Sequence, residues 1–405
     1  MREKITRLAL PGEGDSRYAP VADGLRAVAV MLVAWFHIWQ QSWLSPVLKI
    51  GPVRLDFTAP VRTGYMMVDM LLLLSGFLLF LPYARARVDG ANLPDTRTYY
   101  IKRALRILPS YLLSVFITLF VYVLPQRQYP SLRYFLLDMS GHLTFTHNLT
   151  YEGYLGSKLN PVLWTLAVEV QFYAVAPLAG RAFVKRPFLT YAGMLAVAFM
   201  YRFAYVSGMQ DTSMYFNRLP AMLDVYANGM MFAWLFVALK KRVKPKWWLS
   251  LIAAALCVAA LAGVWHLMEL QSHRFGTEDV HAGQMLYRFP LSVFGGLFLA
   301  AGGIAPRWFQ WLWNNRLMRF IAAISYNLYI WHFHLMLRLR AWRIPPYVDD
   351  MPQRAGEMPW QLHYTLLCFA AAIAVGALVT YTFERPMNRL GAKLFLSRGR
   401  HEKKK

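Results

Sequence analysis

Apolar runs of about 18 to 23 residues recur along the whole 405-residue sequence. A run of this length, wound as an α-helix, matches the thickness of the hydrocarbon core of a bilayer. Because lipid offers no hydrogen-bond partners, a spanning segment must bond its backbone internally, as a helix does. Helices are predicted near 20–40, 64–83, 104–124, 161–180, 188–206, 219–239, 248–268, 285–304, 320–338 and 362–383. The predicted fold class is therefore an all-α integral membrane protein, a bundle of about ten transmembrane helices.

The distribution of basic residues predicts how this bundle is oriented. Most of the 44 Lys and Arg residues lie on one side of the predicted helices, in 1–20, 82–106, 180–187, 240–246, 305–319 and 385–405. Cytoplasmic loops are enriched in Lys and Arg, so this side is predicted to be cytoplasmic and to hold both termini. The expected location is the cell (inner or plasma) membrane, with several passes. A membrane domain over 1–390 is predicted to precede a basic cytoplasmic tail, 391–405.

Composition excludes other classes of protein. Hydrophobic residues make up 57% of the chain and charged residues 16%, whereas a soluble domain carries about 25% charged residues. The net charge of +23 would suggest nucleic acid in a soluble protein, but here the basic residues sit in short runs between apolar spans. Membrane lipid, and no nucleic acid, is the expected partner. Cys257 and Cys368 both fall in apolar runs, and no metal site is predicted.

Ionisable residues inside the apolar runs are candidate functional residues, because charge is costly in a bilayer. In the first run His37 follows Arg26 by about three turns, which places both side chains within about 20° of each other and about 16 Å apart. Asp23 lies one turn before Arg26 on the same face. The alternative is an Arg that extends to the interface and a His bonded within the bundle.

Two carboxylates are predicted at the depth of His37. Asp69 lies about 10 Å from the outer end of the second run, and Glu169 about 12 Å from the outer end of the fourth. A carboxylate beside an imidazole fixes its tautomer and raises its basicity. Either residue is therefore a candidate partner of His37. The alternative for Asp69 is a bond to Ser or backbone on a neighbouring helix.

Two further clusters stand out. Lys102, Arg103 and Arg106 lie at the predicted cytoplasmic edge, where Arg side chains suit phosphate recognition; an ordinary basic flank is the alternative. In the ninth run Ser325, Tyr329 and His332 fall within about 60° on a helical wheel. That stripe is predicted to line a substrate cavity or to bond neighbouring helices.

These motifs, in this order, resemble the membrane acyltransferase family 3, a family of integral membrane O-acyltransferases. The segments that carry the resemblance are Arg26 with His37, Val68-Asp69 with Ser75-Gly76-Phe77, Arg103-Ala-Leu-Arg106, Leu163-Trp164-Thr-Leu-Ala-Val-Glu169, Ile324-Ser-Tyr-Asn-Leu-Tyr329-Ile-Trp-His332 and Tyr381-Thr-Phe-Glu384-Arg-Pro386. The sequence departs from the family at Thr165, where Ser is usual, and at Met70 and Leu71, where a Phe pair is usual.

The resemblance implies transfer of an acyl group, most often acetyl, from cytoplasmic acyl-CoA to a hydroxyl of a glycan or related acceptor. His37 is then the expected general base or transient acyl carrier, oriented by Asp69 or Glu169. The residues expected to bind the donor are Arg26, Lys102, Arg103 and Arg106. The residues expected to line the substrate cavity are Trp164, Ser325, Tyr329 and His332.

Two alternatives stay open at this stage. A proton-coupled transporter or permease would use the intramembrane His and carboxylates as a relay, although the sequence contains no repeat and no paired broken helices. An acyl shuttle would pass the group to a partner enzyme. Many family members carry an extracytoplasmic esterase-like domain after the helices, and no such domain is expected here. The expectation is therefore direct acylation of the acceptor or a separate extracytoplasmic partner enzyme.

Overall fold

The structure, a computed structural model, describes residues 19–44, 46–206, 211–244, 246–356 and 358–396, which are mostly helical. The helices are α1 (Ala22–Ser42), α2 (Thr58–Arg62), α3 (Met67–Asp89), α4 (Thr96–Ile117), α5 (Leu132–Thr144), α6 (Trp164–Lys185), α7 (Pro187–Val206), α8 (Leu223–Arg242), α9 (Trp247–Ser272), α10 (Thr277–Gly302), α11 (Arg307–Trp313), α12 (Arg316–Ala341), α13 (Pro352–Ala355), α14 (Met358–Val379) and α15 (Arg385–Leu396). Strands β1 (Val47–Ile50) and β2 (Val53–Asp56) form an antiparallel hairpin. Residues 1–18 and 397–405, which include most of the predicted tail, lie outside the described residues.

Among the described residues, nine helices are long and apolar enough to cross a membrane. They coincide with nine of the ten predicted runs, and the protein is a multi-pass membrane protein. The tenth run, 188–206, is also helical, as α7, but is not one of the nine. The mixed segment at 132–147 begins with α5, whose 13 residues extend about 20 Å and fall short of the hydrocarbon core.

Short polar side chains and glycines set where several helices begin and end. The side chain of Asp95 accepts from Thr98 N at the start of α4, and that of Ser131 accepts from Tyr134 N at the start of α5. These contacts satisfy backbone donors that the first turn leaves unbonded. Gly90 ends α3 with φ +70, a conformation that glycine adopts without steric cost.

The described residues form two compact units. The first contains the described parts of 1–36, 45–93 and 178–322, and the second those of 37–44, 94–177 and 323–405. In the first unit α3 and α8 approach closely at glycines. A Cβ at Gly229 would lie 2.6 Å from Leu73 O and 2.7 Å from Phe77 N. Small residues let helix backbones pack this closely in a membrane.

In the second unit α4 packs against α15, where a Cβ at Gly391 would overlap the side chain of Leu105. Two wider π-helical turns, Thr118–Val123 and Thr380–Glu384, extend α4 and α14. Both turns present polar groups to α12, because Thr118 bonds His334 and Glu384 accepts from Asn327 Nδ2 at 2.6 Å. Such turns occur often at functional sites.

Candidate active site

Two histidines from distant parts of the chain meet in the second unit. Nδ1 of His37, near the end of α1, lies 3.0 Å from Nε2 of His332 on α12. The ring centroids are 5.0 Å apart. His332 is buried, and its Nδ1 lies 2.6 Å from the backbone carbonyl oxygen of Tyr329. His37 is half-buried. One imidazole is therefore held inside the unit, while its partner is more accessible.

An apolar cluster next to this pair fixes the two helices. Ile38 follows His37 and is fully buried in a cluster with Met336, Trp360, Tyr364 and Cys368. Met336 lies one helical turn after His332, and Tyr364 Oη donates to the Met336 carbonyl at 2.7 Å. Tight packing on both sides limits movement of either ring.

The start of α6 is bonded to α12. Asn160 Nδ2 donates to the Ile330 carbonyl at 2.7 Å. At the second position of α6, Thr165 Oγ1 donates to Tyr329 Oη at 2.9 Å, and that hydroxyl donates to the Val162 carbonyl at 3.1 Å. The Thr that replaces the usual Ser of the family thus keeps a hydroxyl in place for Tyr329. Ser325 is also buried on α12, and Trp164 is half-buried at the first position of α6.

Glu169 lies one turn beyond Thr165 on α6 and is half-buried. Its carboxylate accepts a hydrogen bond from Tyr173 Oη. Arg103 lies over the rings of both Tyr99 and Tyr173, at 5.9 Å and 5.7 Å from their centroids. Glu169 and Arg103, both predicted as site residues, therefore meet at Tyr173.

The basic cluster on α4 is suited to an anion. The buried Nε of Arg103 has no hydrogen-bond partner among the described residues. Arg106 is half-buried. Its positive charge lies close enough to interact electrostatically with the side chains of Tyr173 and Glu384. Lys102 is exposed. Because guanidinium groups bind phosphate oxygens through several donors, the orphaned Arg103 donor fits a phosphate-bearing substrate.

The other carboxylate predicted at the site, Asp69, lies in the first unit. Both of its oxygens lie 3.1 Å from Nε of Arg288, and both side chains are buried. Arg288 also donates to the Phe216 carbonyl at 2.9 Å. His37 belongs to the second unit, so its orientation by Asp69 stays a prediction. The sequence analysis did not single out Arg288, although an Arg inside the predicted run 285–304 was a signal for it.

A second buried ion pair lies in the first unit, between Arg202 and Asp224. Arg202 also donates to the Ala221 carbonyl through Nε at 2.9 Å.

Arg26, predicted to bind the donor, is half-buried on α1. Among the residues that the structure describes, no three His, Cys, Asp or Glu side chains converge on a metal position. Cys257 and Cys368 are buried and free.

Outside the membrane-spanning helices, α5 carries a buried polar cluster. Asp138 accepts from Ser157 Oγ at 2.8 Å and from the Lys158 backbone N–H at 3.0 Å, and His142 Nδ1 lies 3.1 Å from its Oδ1. Burial raises the pKa of Asp138, but the contacts from His142, Lys158 and Ser157 outweigh it and the net pKa is lowered. His147 stacks on His142 with ring centroids 4.0 Å apart. Burial, with the nearby His142, lowers the pKa of His147 to about 3.

Apolar helices of membrane-crossing length that bury imidazole, carboxylate and guanidinium groups define a polytopic membrane protein with candidate functional groups among its helices. A family model described as an acyltransferase domain, that of acyltransferase family 3, matches residues 21–381. The chain belongs to this family, as its motifs predicted.

Relatives with assigned names agree with this membership. The O-acetyltransferase OatA of Staphylococcus aureus is 24% identical over 401 residues, which cover 94% of this chain and 58% of the relative. The peptidoglycan O-acetyltransferase OatA of Listeria monocytogenes is 23% identical over 79% of this chain and 50% of the relative. A protein of Acidianus two-tailed virus, named "Putative acetyltransferase ORF330", is 26% identical over 78% of this chain and 83% of its own length. The chain thus spans between half and two thirds of the two OatA relatives. No solved structure matches.

Proposed function

We propose that the protein is a membrane O-acetyltransferase that moves an acetyl group from acyl-CoA to a hydroxyl of a cell-envelope glycan. The observation that carries this proposal is the His37–His332 pair, in which a half-buried imidazole is bonded to a buried one at 3.0 Å. Family membership supports the reaction class, and the names of the OatA relatives support acetyl as the group and peptidoglycan as the acceptor class.

His37 acts as the general base in this proposal. Its imidazole takes the proton of the acceptor hydroxyl as the hydroxyl oxygen attacks the thioester carbonyl carbon. The new C–O bond forms, the C–S bond breaks, and the proton passes from His37 to the departing CoA sulfur. The products are an acetyl ester and free CoA thiol. Glu169 stabilises the site through Tyr173.

The CoA phosphates bind at the predicted cytoplasmic end of α4 in this account. Arg103, Arg106 and Lys102 supply the charge there, and the donor-binding role of Arg26, which belongs to the first unit, stays a prediction. The Arg103 Nε without a partner among the described residues supports this assignment, because an unbonded buried donor is costly unless an acceptor binds it.

The topology we propose has ten spans, with α7 as the tenth, and both termini in the cytoplasm. The excess of Lys and Arg in alternate loops supports it, and relatives in bacteria support the inner membrane as its location. Acetyl donor and glycan acceptor then approach from opposite faces. Where the acceptor is not acylated directly, a separate extracytoplasmic enzyme receives the group.

The test reconstitutes the purified protein in liposomes that enclose peptidoglycan fragments, with acetyl-CoA labelled in the acetyl group added outside. The proposal predicts label in alkali-labile ester linkage to the glycan, together with release of CoA thiol. A transporter would leave the thioester intact, with labelled acetyl-CoA inside the vesicles, and would contradict the proposal. Label on the protein itself, formed without acceptor and chased by it, would replace general-base catalysis with an acetyl-histidine intermediate.

A further inference from the structure

The hydrogen bonds of His332 define which of its nitrogens carries the proton. Its Nδ1 lies 2.6 Å from the Tyr329 backbone carbonyl oxygen. A carbonyl oxygen only accepts hydrogen bonds, so Nδ1 of His332 must be the donor. In neutral imidazole the other nitrogen then carries the lone pair. Nε2 of His332, which lies 3.0 Å from His37, is therefore an acceptor.

The position of the hydrogen on His332 also determines the position of the hydrogen on His37. Because Nε2 of His332 accepts, Nδ1 of His37 must donate, and it carries the hydrogen. Neutral His37 is then the tautomer with its lone pair on Nε2. A general base needs a lone pair on the nitrogen that meets the substrate, and a wrong tautomer removes most of the activity even where the geometry is intact.

We propose that His332 is a positioning residue that fixes the catalytic tautomer of His37 through a relay from the Tyr329 carbonyl. This inference rests on the proposed function only in giving His37 the role of base; the relay itself does not depend on it. When His37 takes a proton at Nε2, its Nδ1–H bond to His332 becomes charge-assisted and stronger. His332 therefore stabilises the imidazolium that forms during the reaction, the part that a carboxylate plays in a catalytic triad.

The burial of His332 supports a positioning role over contact with substrate. Only 1% of its surface is exposed, and both ring nitrogens are engaged within the second unit. The sequence analysis placed His332 among the cavity-lining residues. In this proposal it contacts His37 and the Tyr329 carbonyl and acts through the His37 ring.

Two amide variants separate the two hydrogen bonds of His332. In His332→Asn the amide occupies the position of Nδ1, so the bond to the Tyr329 carbonyl is kept and the bond to His37 is lost. In His332→Gln the amide oxygen reaches the position of Nε2 and accepts from His37. We expect His332→Asn to lower kcat by about 100-fold or more, with KM for acetyl-CoA within about twofold of wild type. We expect His332→Gln to retain kcat within about tenfold.

The same substitutions at the exposed His363 provide the matched control and should leave both constants unchanged. Equal kcat in His332→Asn and wild type would overturn the proposal. Equal losses in His332→Asn and His332→Gln would also overturn it, because a purely structural histidine predicts no advantage for Gln.

A second readout does not require turnover. In protein labelled with 15N at histidine rings and held in nanodiscs, the His37 signals are assigned by their loss in His37→Gln. Near neutral pH, Nδ1 of His37 should be the protonated nitrogen in wild type and in His332→Gln, whereas His332→Asn should give a mixture of tautomers. A single unchanged tautomer in all three proteins would overturn the relay. If wild type transfers no acetyl group, the proposed function fails, and the tautomer measurement still decides the relay.

Discussion

Nε of Arg288 lies 3.1 Å from both carboxylate oxygens of Asp69, and the two side chains are buried together in the first unit. The sequence predicted Asp69 as a catalytic partner of His37. In the structure Asp69 is the counter-ion of a buried cation, and its catalytic role stays a prediction. Burying two charges costs several kcal/mol each, so such a pair is stable only when both partners are present.

Asp69→Ala should therefore impair folding before it impairs chemistry. We expect a loss of about 3–5 kcal/mol in the free energy of unfolding, because Arg288 would stay buried without its counter-ion. The double variant Asp69→Leu with Arg288→Met should recover most of that loss. The measurement is the unfolding temperature in detergent. Asp89→Ala, which removes a surface pair with Lys241, is the control and should cost about 0–1 kcal/mol. Normal unfolding of Asp69→Ala with no activity would favour the catalytic role.

Gly229→Ala should weaken the packing of α3 against α8. The added Cβ would lie 2.6 Å from Leu73 O and 2.7 Å from Phe77 N, and backbone atoms in two packed helices cannot give way as a flexible side chain does. We expect a lower yield of folded protein and a lower unfolding temperature. Gly193→Ala is the matched control, because nothing lies within 4 Å of its Cβ position. That change should be neutral or stabilise by up to about 1 kcal/mol. Equal behaviour of the two variants would contradict close packing at Gly229.

The helices could be predicted from the sequence, because a bilayer sets both the length and the polarity of a spanning segment. All ten apolar runs are helical. Helical periodicity also placed Ser325, Tyr329 and His332 on one face of the helix that became α12, and all three are buried. Such predictions depend only on local sequence and on the solvent.

The partners of the polar residues could not be predicted in the same way. His37 and His332 are 295 residues apart, and Asp69 and Arg288 are 219 apart. A helical wheel gives the face on which a residue lies but not the helix that faces it. Equal depth in the membrane left Asp69 and Glu169 as equivalent candidates to contact His37, and it did not indicate His332. The contact between His37 and His332 lies beside a buried cluster that contains both Ile38 and Met336, and no pattern in the sequence pairs those residues.

Arg106→Gln should raise KM for acetyl-CoA by about 10- to 100-fold and change kcat less, since a phosphate contact remote from the thioester affects binding in the ground and transition states alike. Lys102→Gln should have a smaller effect, because that side chain is exposed. Lys185→Gln, an exposed change on the same predicted side of the membrane, is the control. Initial rates over a range of acetyl-CoA concentrations give both constants. An unchanged KM in Arg106→Gln would remove it from the donor site.

The segment around α5 should become less stable as the pH falls. Burial holds the pKa of His147 at about 3 in the folded protein, whereas an unfolded His has a pKa of about 6.5. Between these values the unfolded segment binds the proton and the folded one does not, so stability decreases as the pH falls through 6.5 toward 3.

Hydrogen exchange of residues 132–157 at pH 7 and pH 5 measures this effect. Wild type should lose protection at pH 5 relative to pH 7, and His147→Phe should lose less, because it has no proton to bind. His363→Phe, at an exposed histidine, should keep the pH dependence of wild type. The same loss in wild type and His147→Phe would contradict the assignment.

The catalytic role of His37 is the central claim, and rapid-quench measurement of acetyl-CoA thioester cleavage in the presence of acceptor tests it most directly. The comparison is wild type against His37→Gln, with both proteins shown to be folded by size-exclusion chromatography and by their unfolding temperatures. The account predicts that His37→Gln binds acetyl-CoA normally and cleaves it at least about 100-fold more slowly. Cleavage at the wild-type rate in the folded variant would contradict it.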